Sequence, residues 1–254
     1  MKSNSAAPER ICAFGHEGTG KTKGWAEIAK SYRETDTPGT FRVLNWEGMA
    51  MERLSDGYPD MRANVEWTDV HSWTELVMAT TAYKAVSRPG DWLVIENAAR
   101  CWDAVQQAYE EHYANQQGFK SDELFTTVPV DESPGRWVKI NQEYFRWMDP
   151  LVDICPAHLY VTAPQKPVTI PQGKKGEWAD DQQTVSLFSR FGMKPDSQKR
   201  LAHQMHTVLW LRTPRSGTWT MTSVKDRERE LKEDEVMLTF PLSYLVGVAG
   251  WDTP

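Results

Sequence analysis

Short apolar runs alternate along the chain with longer segments whose apolar residues recur every three or four positions. The short runs predict buried strands, and the periodic segments predict helices. The predicted strands cover residues 10–14, 41–46, 64–70, 92–95 and 158–163. The predicted helices cover about 23–32, 72–88, 98–117 and 136–154. This alternation predicts an α/β fold with a mainly parallel sheet and helices on both faces.

Three segments outside this pattern indicate how the chain is divided. Residues 1–8 are predicted to form a flexible leader, and residues 9–254 a single domain. Residues 118–135 contain glycine, two prolines and several acids, which predicts an irregular insertion. Residues 164–195 are rich in Pro, Gly, Lys and Gln and are predicted to form a long loop. A loop of this length in a compact domain is usually functional or disordered.

The composition is that of a globular protein, with 25% charged and 40% hydrophobic residues. No apolar run reaches the roughly 18 residues of a membrane span, and the N-terminus lacks the apolar core of a signal peptide. The protein is therefore expected in the cytoplasm, or in the host cytoplasm if it is viral. Cys12, Cys101 and Cys155 are expected to be buried, reduced thiols. A net charge of −6 argues against a globally basic nucleic-acid binder but allows a local basic loop.

One stretch fits the phosphate-binding pattern G-x-x-x-x-G-K-[ST], between a predicted strand and a predicted helix. It consists of Gly15, His16, Glu17, Gly18, Thr19, Gly20, Lys21 and Thr22. Glycines let the backbone wrap closely around a phosphate, so that its N–H groups form an anion nest. Lys21 can reach the β- and γ-phosphates, and the Thr22 hydroxyl can bind Mg²⁺. The following helix adds its positive dipole end.

Two acids follow predicted strands at positions where nucleotide hydrolysis needs them. Glu96 follows the run 92–95 and is the candidate to support Mg²⁺, where aspartate is usual and the longer glutamate could act through a water. Glu47 follows 41–46 and is the candidate to polarise the attacking water. For each acid the alternative is a strand-end carboxylate that faces solvent and has no such role.

A third strand end carries polar residues that could sense the γ-phosphate and pass its state to the following loop. Gln165 is the first candidate for this role and Thr162 the second. A plain turn at this position is the alternative interpretation.

The C-terminal part predicts an antiparallel hairpin, with strands at about 204–212 and 218–224 joined at a Ser-Gly turn. Lys225 and Arg227 follow its second strand. At the far edge of the sheet they could not reach the phosphate of their own subunit, but they could reach that of a neighbour. Such a cation can contribute roughly 10³–10⁵ in rate. A solvated run of mixed charges is the alternative.

Cations and aromatic residues are interleaved between positions 164 and 200, a combination that suits phosphate contacts and base stacking on single-stranded DNA. The cations are Lys166, Lys174, Lys175, Arg190, Lys194, Lys199 and Arg200, and the aromatic residues are Trp178, Phe188 and Phe191. Four acids partly offset this charge, namely Glu177, Asp180, Asp181 and Asp196. A surface loop or an oligomer contact is equally consistent with the pattern.

The order of these features over roughly residues 10–230 resembles the RecA-like ATPases, which include RecA, RadA and the DnaB-type helicase motor. In size and style the chain is closest to the single-domain RecA-like ATPases of phages that take part in single-strand annealing and recombination. Glu47 matches the catalytic glutamate of that group, and Lys225 and Arg227 look like its Lys-x-Arg element. In the AAA+ group the catalytic glutamate directly follows the Mg²⁺-binding acid. Here Asn97 follows Glu96, which disfavours a standard AAA+ protein. The departures are Glu96 in place of aspartate and the mixed charge of the loop.

The resemblance implies a RecA-like P-loop NTPase core that binds ATP and Mg²⁺ and hydrolyses ATP in a ring or filament with shared sites. It implies single-stranded DNA as a partner through the loop 164–200, in recombination or replication. Two other functions remain open on the same scaffold. One is a small-molecule kinase, and the other is an assembly or packaging protein that binds nucleotide without turnover.

Overall fold

The computed structural model describes residues 7–32, 39–48, 54, 56, 59, 63–117, 134–170, 179–213, 220–226, 236–237 and 241–247. The strands are β1 (Arg10–Gly15), β2 (Phe41–Asn45), β3 (Val65–Asp69), β4 (Trp92–Glu96), β5 (His158–Pro167), β6 (Met193–Pro195), β7 (Thr207–Arg212), β8 (Thr220–Asp226) and β9 (Val236–Met237). The helices are α1 (Lys21–Tyr32), α2 (Trp73–Val86), α3 (Ala98–Gln117), α4 (Pro134–Asp153), α5 (Gln182–Phe188), α6 (Leu201–Gln204) and α7 (Pro241–Gly247). A 3₁₀ turn spans Ser189–Phe191.

The strands form one sheet in the order β3-β2-β4-β5-β1-β7-β8-β9, and β6 pairs with β5. The pairs from β3 to β7 are parallel, whereas β8 and β9 are antiparallel to their neighbours. The predicted mainly parallel sheet with a C-terminal antiparallel hairpin is therefore confirmed. The register places Gly15 opposite Pro164 and Asn45 opposite Glu96. The carboxyl ends of β1, β2, β4 and β5 thus meet at one edge of the sheet.

Helices cover both faces of the sheet, as predicted. Because side chains alternate along a strand, Cys12 and Phe14 of β1 face one side while Ile11 and Ala13 face the other. The first face packs against α2, α3 and α4, through residues such as Leu76, Cys101, Tyr144 and Leu151. The second face packs against α1 and α7, through Trp25, Ile28, Tyr244 and Leu245.

The three cysteines are buried and unpaired, as expected. Ser72 is the N-cap of α2 and accepts a hydrogen bond from the backbone N–H of Glu75. Within the described residues, no helix is both long and apolar enough to cross a membrane.

The structure corrects the prediction of one long loop at 164–195. Strand β5 continues to Pro167, because its extension pairs antiparallel with β6. Helix α5 lies within the predicted loop, and the Asp181 carboxylate caps it by accepting from the Thr184 N–H at 2.8 Å. Residues 171–178 lie outside the described part of the chain. These elements are short and separated by prolines and glycines, so no periodicity marks them in the sequence.

The predicted leader and insertion fall mostly outside the described residues. Of the leader 1–8 only residues 7–8 are described, and of the insertion 118–135 only 134–135, which begin α4. Both segments stay predictions.

Candidate active site

The predicted phosphate loop connects β1 to α1, with Gly15 as the last residue of the strand and Lys21 as the first of the helix. A Cβ on Gly15 would lie 2.3 Å from the Leu211 carbonyl oxygen, so only glycine fits there. Gly20 has a φ of 86°, in the left-handed region that favours glycine. His16, Glu17 and Gly18 are exposed at the crest of the loop, and Thr19 is buried below it. The expected strand, glycine loop and helix are all present.

The ammonium of Lys21 lies inside this loop. Its Nζ donates to the carbonyl oxygens of Gly15 at 3.2 Å and His16 at 2.9 Å. Burial lowers the pKa of Lys21, and the carboxylates of Glu96 and Glu47 oppose this shift. A phosphate between the ammonium and the N-terminus of α1 would supply the negative charge that a partly buried cation needs.

Glu96 is buried at the end of β4, and two side chains of α1 hold its carboxylate. Thr22 Oγ1 donates to Oε1 at 2.7 Å, and Trp25 Nε1 donates to Oε2 at 3.0 Å. Burial raises the pKa of Glu96 to about 7, while the Thr22 hydrogen bond acts in the opposite direction and the Glu47 charge adds to the rise. The predicted pair of metal-binding residues is thus in direct contact.

A hydroxyl and a carboxylate side by side are the hard oxygen donors that Mg²⁺ prefers. Within the described residues, no cluster of three or more His, Cys, Asp or Glu side chains could hold a metal on its own. Mg²⁺ is usually bound by one or two protein groups together with phosphates and water. A divalent cation beside Glu96 would also favour the ionised carboxylate. The residues present therefore fit the expected metal.

Glu47 follows β2 and is exposed. Its backbone N–H donates to Asn45 Oδ1 at 3.0 Å, and its Oε1 accepts from Asn97 Nδ2 at 3.0 Å. The backbone N–H of Trp46 donates to the Glu96 carbonyl oxygen at 2.9 Å, which joins the ends of β2 and β4. Glu47 and Glu96 therefore lie at neighbouring strand ends, on the same edge as the phosphate loop.

Gln165 lies in β5, beside the phosphate loop. Its Oε1 accepts from Trp210 Nε1 at 3.0 Å, and it lines a cavity of about 630 Å³ together with His16 and Thr19. Thr162 is fully buried and its Oγ1 donates to the Ile95 carbonyl oxygen at 3.4 Å. Of the two sensor candidates, Gln165 is the one that lines a cavity with loop residues.

Lys225 lies in β8, away from the phosphate loop of its own chain. It lies opposite Val208 of β7, and Val208 in turn lies opposite Cys12 near the start of β1. The strand rises about 10 Å from there to Gly15. Its Nζ donates to the carbonyl oxygens of Ala202, His203 and Met205, at 2.9, 2.7 and 2.6 Å, around the C-terminus of α6. Arg227 lies outside the described residues, and the role of both cations across a subunit interface stays a prediction.

Several residues of the segment 164–200 have partners within the chain. Lys166 pairs with Asp196 at 2.6 Å, and the buried Lys194 pairs with Asp180. Phe188 is buried and packs edge-to-face on Phe14 at 5.8 Å, so of the aromatic residues in the pattern this one is not placed to stack on bases. Lys174, Lys175, Glu177 and Trp178 lie outside the described residues.

Three further residues of this site were not predicted from the sequence: Trp25, Asn45 and Asn97. The spacing on α1 places Trp25 one helical turn after Thr22, which predicts the same face of the helix. A buried indole N–H usually has an acceptor, which could have linked Trp25 to Glu96. Both asparagines flank strand ends next to the predicted acids, but no sequence signal fixes the direction of their amides.

No protein-family model matches the sequence, and no curated protein does either. The strand order and the helices on both faces of the sheet are those of a RecA-like α/β fold, and the predicted phosphate loop lies at the edge where the parallel strands end. Among solved structures, the chain is similar to a crystal structure of the RadB recombinase, with a TM-score of 0.51 and 10% sequence identity. The similarity covers 91% of this chain and 90% of that chain. It establishes the fold, whereas the phage subgroup and the cytoplasmic location stay predictions.

Proposed function

We propose that the protein is a Mg²⁺-dependent ATPase that assembles into a ring or filament and acts on single-stranded DNA in recombination or replication. The hydrogen bond between Thr22 and Glu96 carries this proposal. Lys21 lies next to Thr22 in α1, and the charges of Glu96 and Glu47 both act on its ammonium. Four groups from three separate elements converge at one sheet edge, and each has a part in phosphoryl transfer. The RecA-like fold and the similarity to a recombinase support the choice of ATP and DNA.

Each side chain has a distinct task in this proposal. Lys21 and the loop N–H groups hold the phosphates, and Thr22 with Glu96 holds Mg²⁺. When bound, Mg²⁺ neutralises charge on the phosphate oxygens. Glu47, exposed at the sheet edge, orients a water and accepts its proton. Gln165 senses the γ-phosphate and transmits its state through its own pairing with Pro195 to the segment that β5 and β6 carry.

The proposed shared site uses Arg227 of a neighbouring subunit as the cation that stabilises the transition state. Lys225 is half-buried and its ammonium is hydrogen-bonded to α6 of its own chain. It lies near the edge of the sheet where the parallel strands β1 and β7 begin. A contact with a neighbour would therefore require these bonds to be released. We assign the direct contact to Arg227, and to Lys225 the support of the hairpin that carries it.

The test is ATP turnover measured against protein concentration, with and without single-stranded DNA, at two salt concentrations. The expected result is a rate per subunit that rises with concentration and with DNA, and a DNA effect that weakens at high salt. Glu47→Gln should bind ATP and lose most of the turnover. A flat rate that does not respond to DNA contradicts the oligomeric DNA-dependent ATPase. Phosphate transfer to a small acceptor identifies a kinase, and ATP binding without turnover identifies a structural nucleotide binder.

A further inference from the structure

The orientation of the Asn97 amide is fixed by the helix that follows it. Asn97 precedes α3, and its Oδ1 accepts from the backbone N–H of Arg100 at 3.2 Å, as an N-cap residue does. A backbone N–H can only donate, so the atom facing it is the amide oxygen. The NH₂ group therefore faces the other way, toward the Glu47 carboxylate, which can only accept. Both contacts agree on a single orientation of the amide.

The Glu47 carboxylate depends on this amide for its position. The side chain is exposed, and within the described residues its carboxylate has no other hydrogen-bond donor. Asn45 holds the backbone of Glu47, which leaves the rotamer of its side chain undetermined. An exposed glutamate samples several rotamers unless a contact selects one.

Asparagine suits this position because it donates without adding charge. An acid there would place a third carboxylate next to Glu47 and Glu96, and a cation would compete with Lys21 for the phosphates. Asn97 is 8% exposed and anchored by α3, so its amide is held more firmly than the carboxylate that it contacts. The helix thereby sets where the Glu47 carboxylate lies relative to the end of β4.

We propose that Asn97 is a positioning residue that uses its cap on α3 to hold the Glu47 carboxylate in the orientation needed to activate water. Its effect on turnover rests on the proposed ATPase function, whereas the contact with Glu47 does not.

The main test compares Asn97→Asp and Asn97→Ser with Glu47→Gln in steady-state ATP turnover. Both Asn97 variants keep an oxygen for the Arg100 N–H, so the helix cap survives. Both lose the amide that donates to Glu47, because aspartate has no donor and the shorter serine hydroxyl lies one bond nearer the backbone. We expect turnover to fall roughly 10-fold or more, with nucleotide affinity and Tm nearly unchanged, and Asn97→Asp to have the larger effect because like charges repel. Adding Asn97→Asp to Glu47→Gln should cause no further loss, since both changes remove one function.

A second measurement needs no turnover. In ¹⁵N-labelled protein without nucleotide, the side-chain amide signal that disappears in Asn97→Asp should shift in Glu47→Gln. It should not shift in Glu143→Gln, because Glu143 lies exposed on α4 and pairs with Arg146. An Asn97 signal insensitive to Glu47→Gln overturns the proposal. Unchanged turnover in both Asn97 variants also overturns it, if Glu47→Gln is inactive. If Glu47→Gln is fully active, the catalytic part of the proposed function fails instead.

Discussion

Lys225 offers a sharp test of how the hairpin is built, because the sequence and the structure indicate different roles for it. Its ammonium donates to three carbonyl oxygens at the C-terminus of α6, which lies just before β7. The last carbonyls of a helix have no partner within the helix, and a cation there also interacts favourably with the helix dipole. We therefore expect Lys225→Met to destabilise the fold.

The expected loss of folding free energy follows from the three hydrogen bonds of Lys225 and from two effects that reduce their contribution. A hydrogen bond to a charged group is worth roughly 1.5–3 kcal/mol. Lys225 is only half-buried, so water can replace part of the interaction, and its release restores up to about 2 kcal/mol of side-chain entropy. A net loss of about 2–4 kcal/mol remains. For a chain of this size it corresponds to a decrease in Tm of roughly 5–15 °C.

The assay is thermal unfolding of Lys225→Met beside the matched variant Lys166→Met. Lys166 also makes an ion pair, with Asp196, but its side chain is 38% exposed and that of Asp196 is 44% exposed. Such surface pairs contribute about 0–1 kcal/mol, so the Tm of Lys166→Met should change little. Equal, small changes in the two variants would refute the structural role of Lys225. A loss of turnover without a loss of stability would instead support its contact with a neighbouring subunit.

The remaining predictions concern the nucleotide, the interface and pH. Lys21→Ala should abolish tight Mg-ATP binding in a fluorescence titration, and near-normal affinity would contradict the phosphate loop. A mixture of inactive Arg227→Ala and Glu47→Gln subunits should regain turnover at mixed interfaces if Arg227 acts on a neighbour, and assembled mixtures that stay inactive would count against shared sites. Burial and the nearby Arg10 charge lower the pKa of His158 to about 3, below the ordinary 6.5. The unfolded chain therefore binds this proton more readily, and the free energy of unfolding should fall by about 2 kcal/mol between pH 7 and pH 5. His158→Asn, which keeps an acceptor for the Glu9 N–H, should flatten that part of the denaturation profile.

The sequence predicted those parts of the site that depend on local motifs and on sheet geometry. The stretch 15–22 is continuous, so the strand, glycine loop and helix around it could be predicted from local sequence alone. Glu47 and Glu96 lie far apart in the chain, but both follow parallel strands, whose carboxyl ends meet at one edge. Their proximity therefore followed from the predicted sheet.

Contacts that depend on very short elements, or on strands that are not neighbours in the sheet, leave no pattern in the sequence and could not be predicted. The partner of Lys225 is a helix of four residues, too short to leave a pattern in the sequence. The hydrogen bond from Trp210 to Gln165 joins β7 to β5, which are not neighbours in the sheet. The extension of β5 contains prolines, which weaken a strand prediction, and only its pairing with β6 reveals it.

Trp25 provides a physical reason for a glutamate rather than an aspartate at position 96. The longer glutamate reaches both Thr22 and the indole N–H of Trp25, which is fully buried. An aspartate on the same backbone would reach less far toward α1 and would leave that N–H without its acceptor, at a cost of about 1–3 kcal/mol. Glu96 and Trp25 thus form a matched pair in which the indole fixes the second carboxylate oxygen and Thr22 fixes the first. The glutamate is therefore consistent with the predicted metal-binding role, because its carboxylate is held beside the Thr22 hydroxyl.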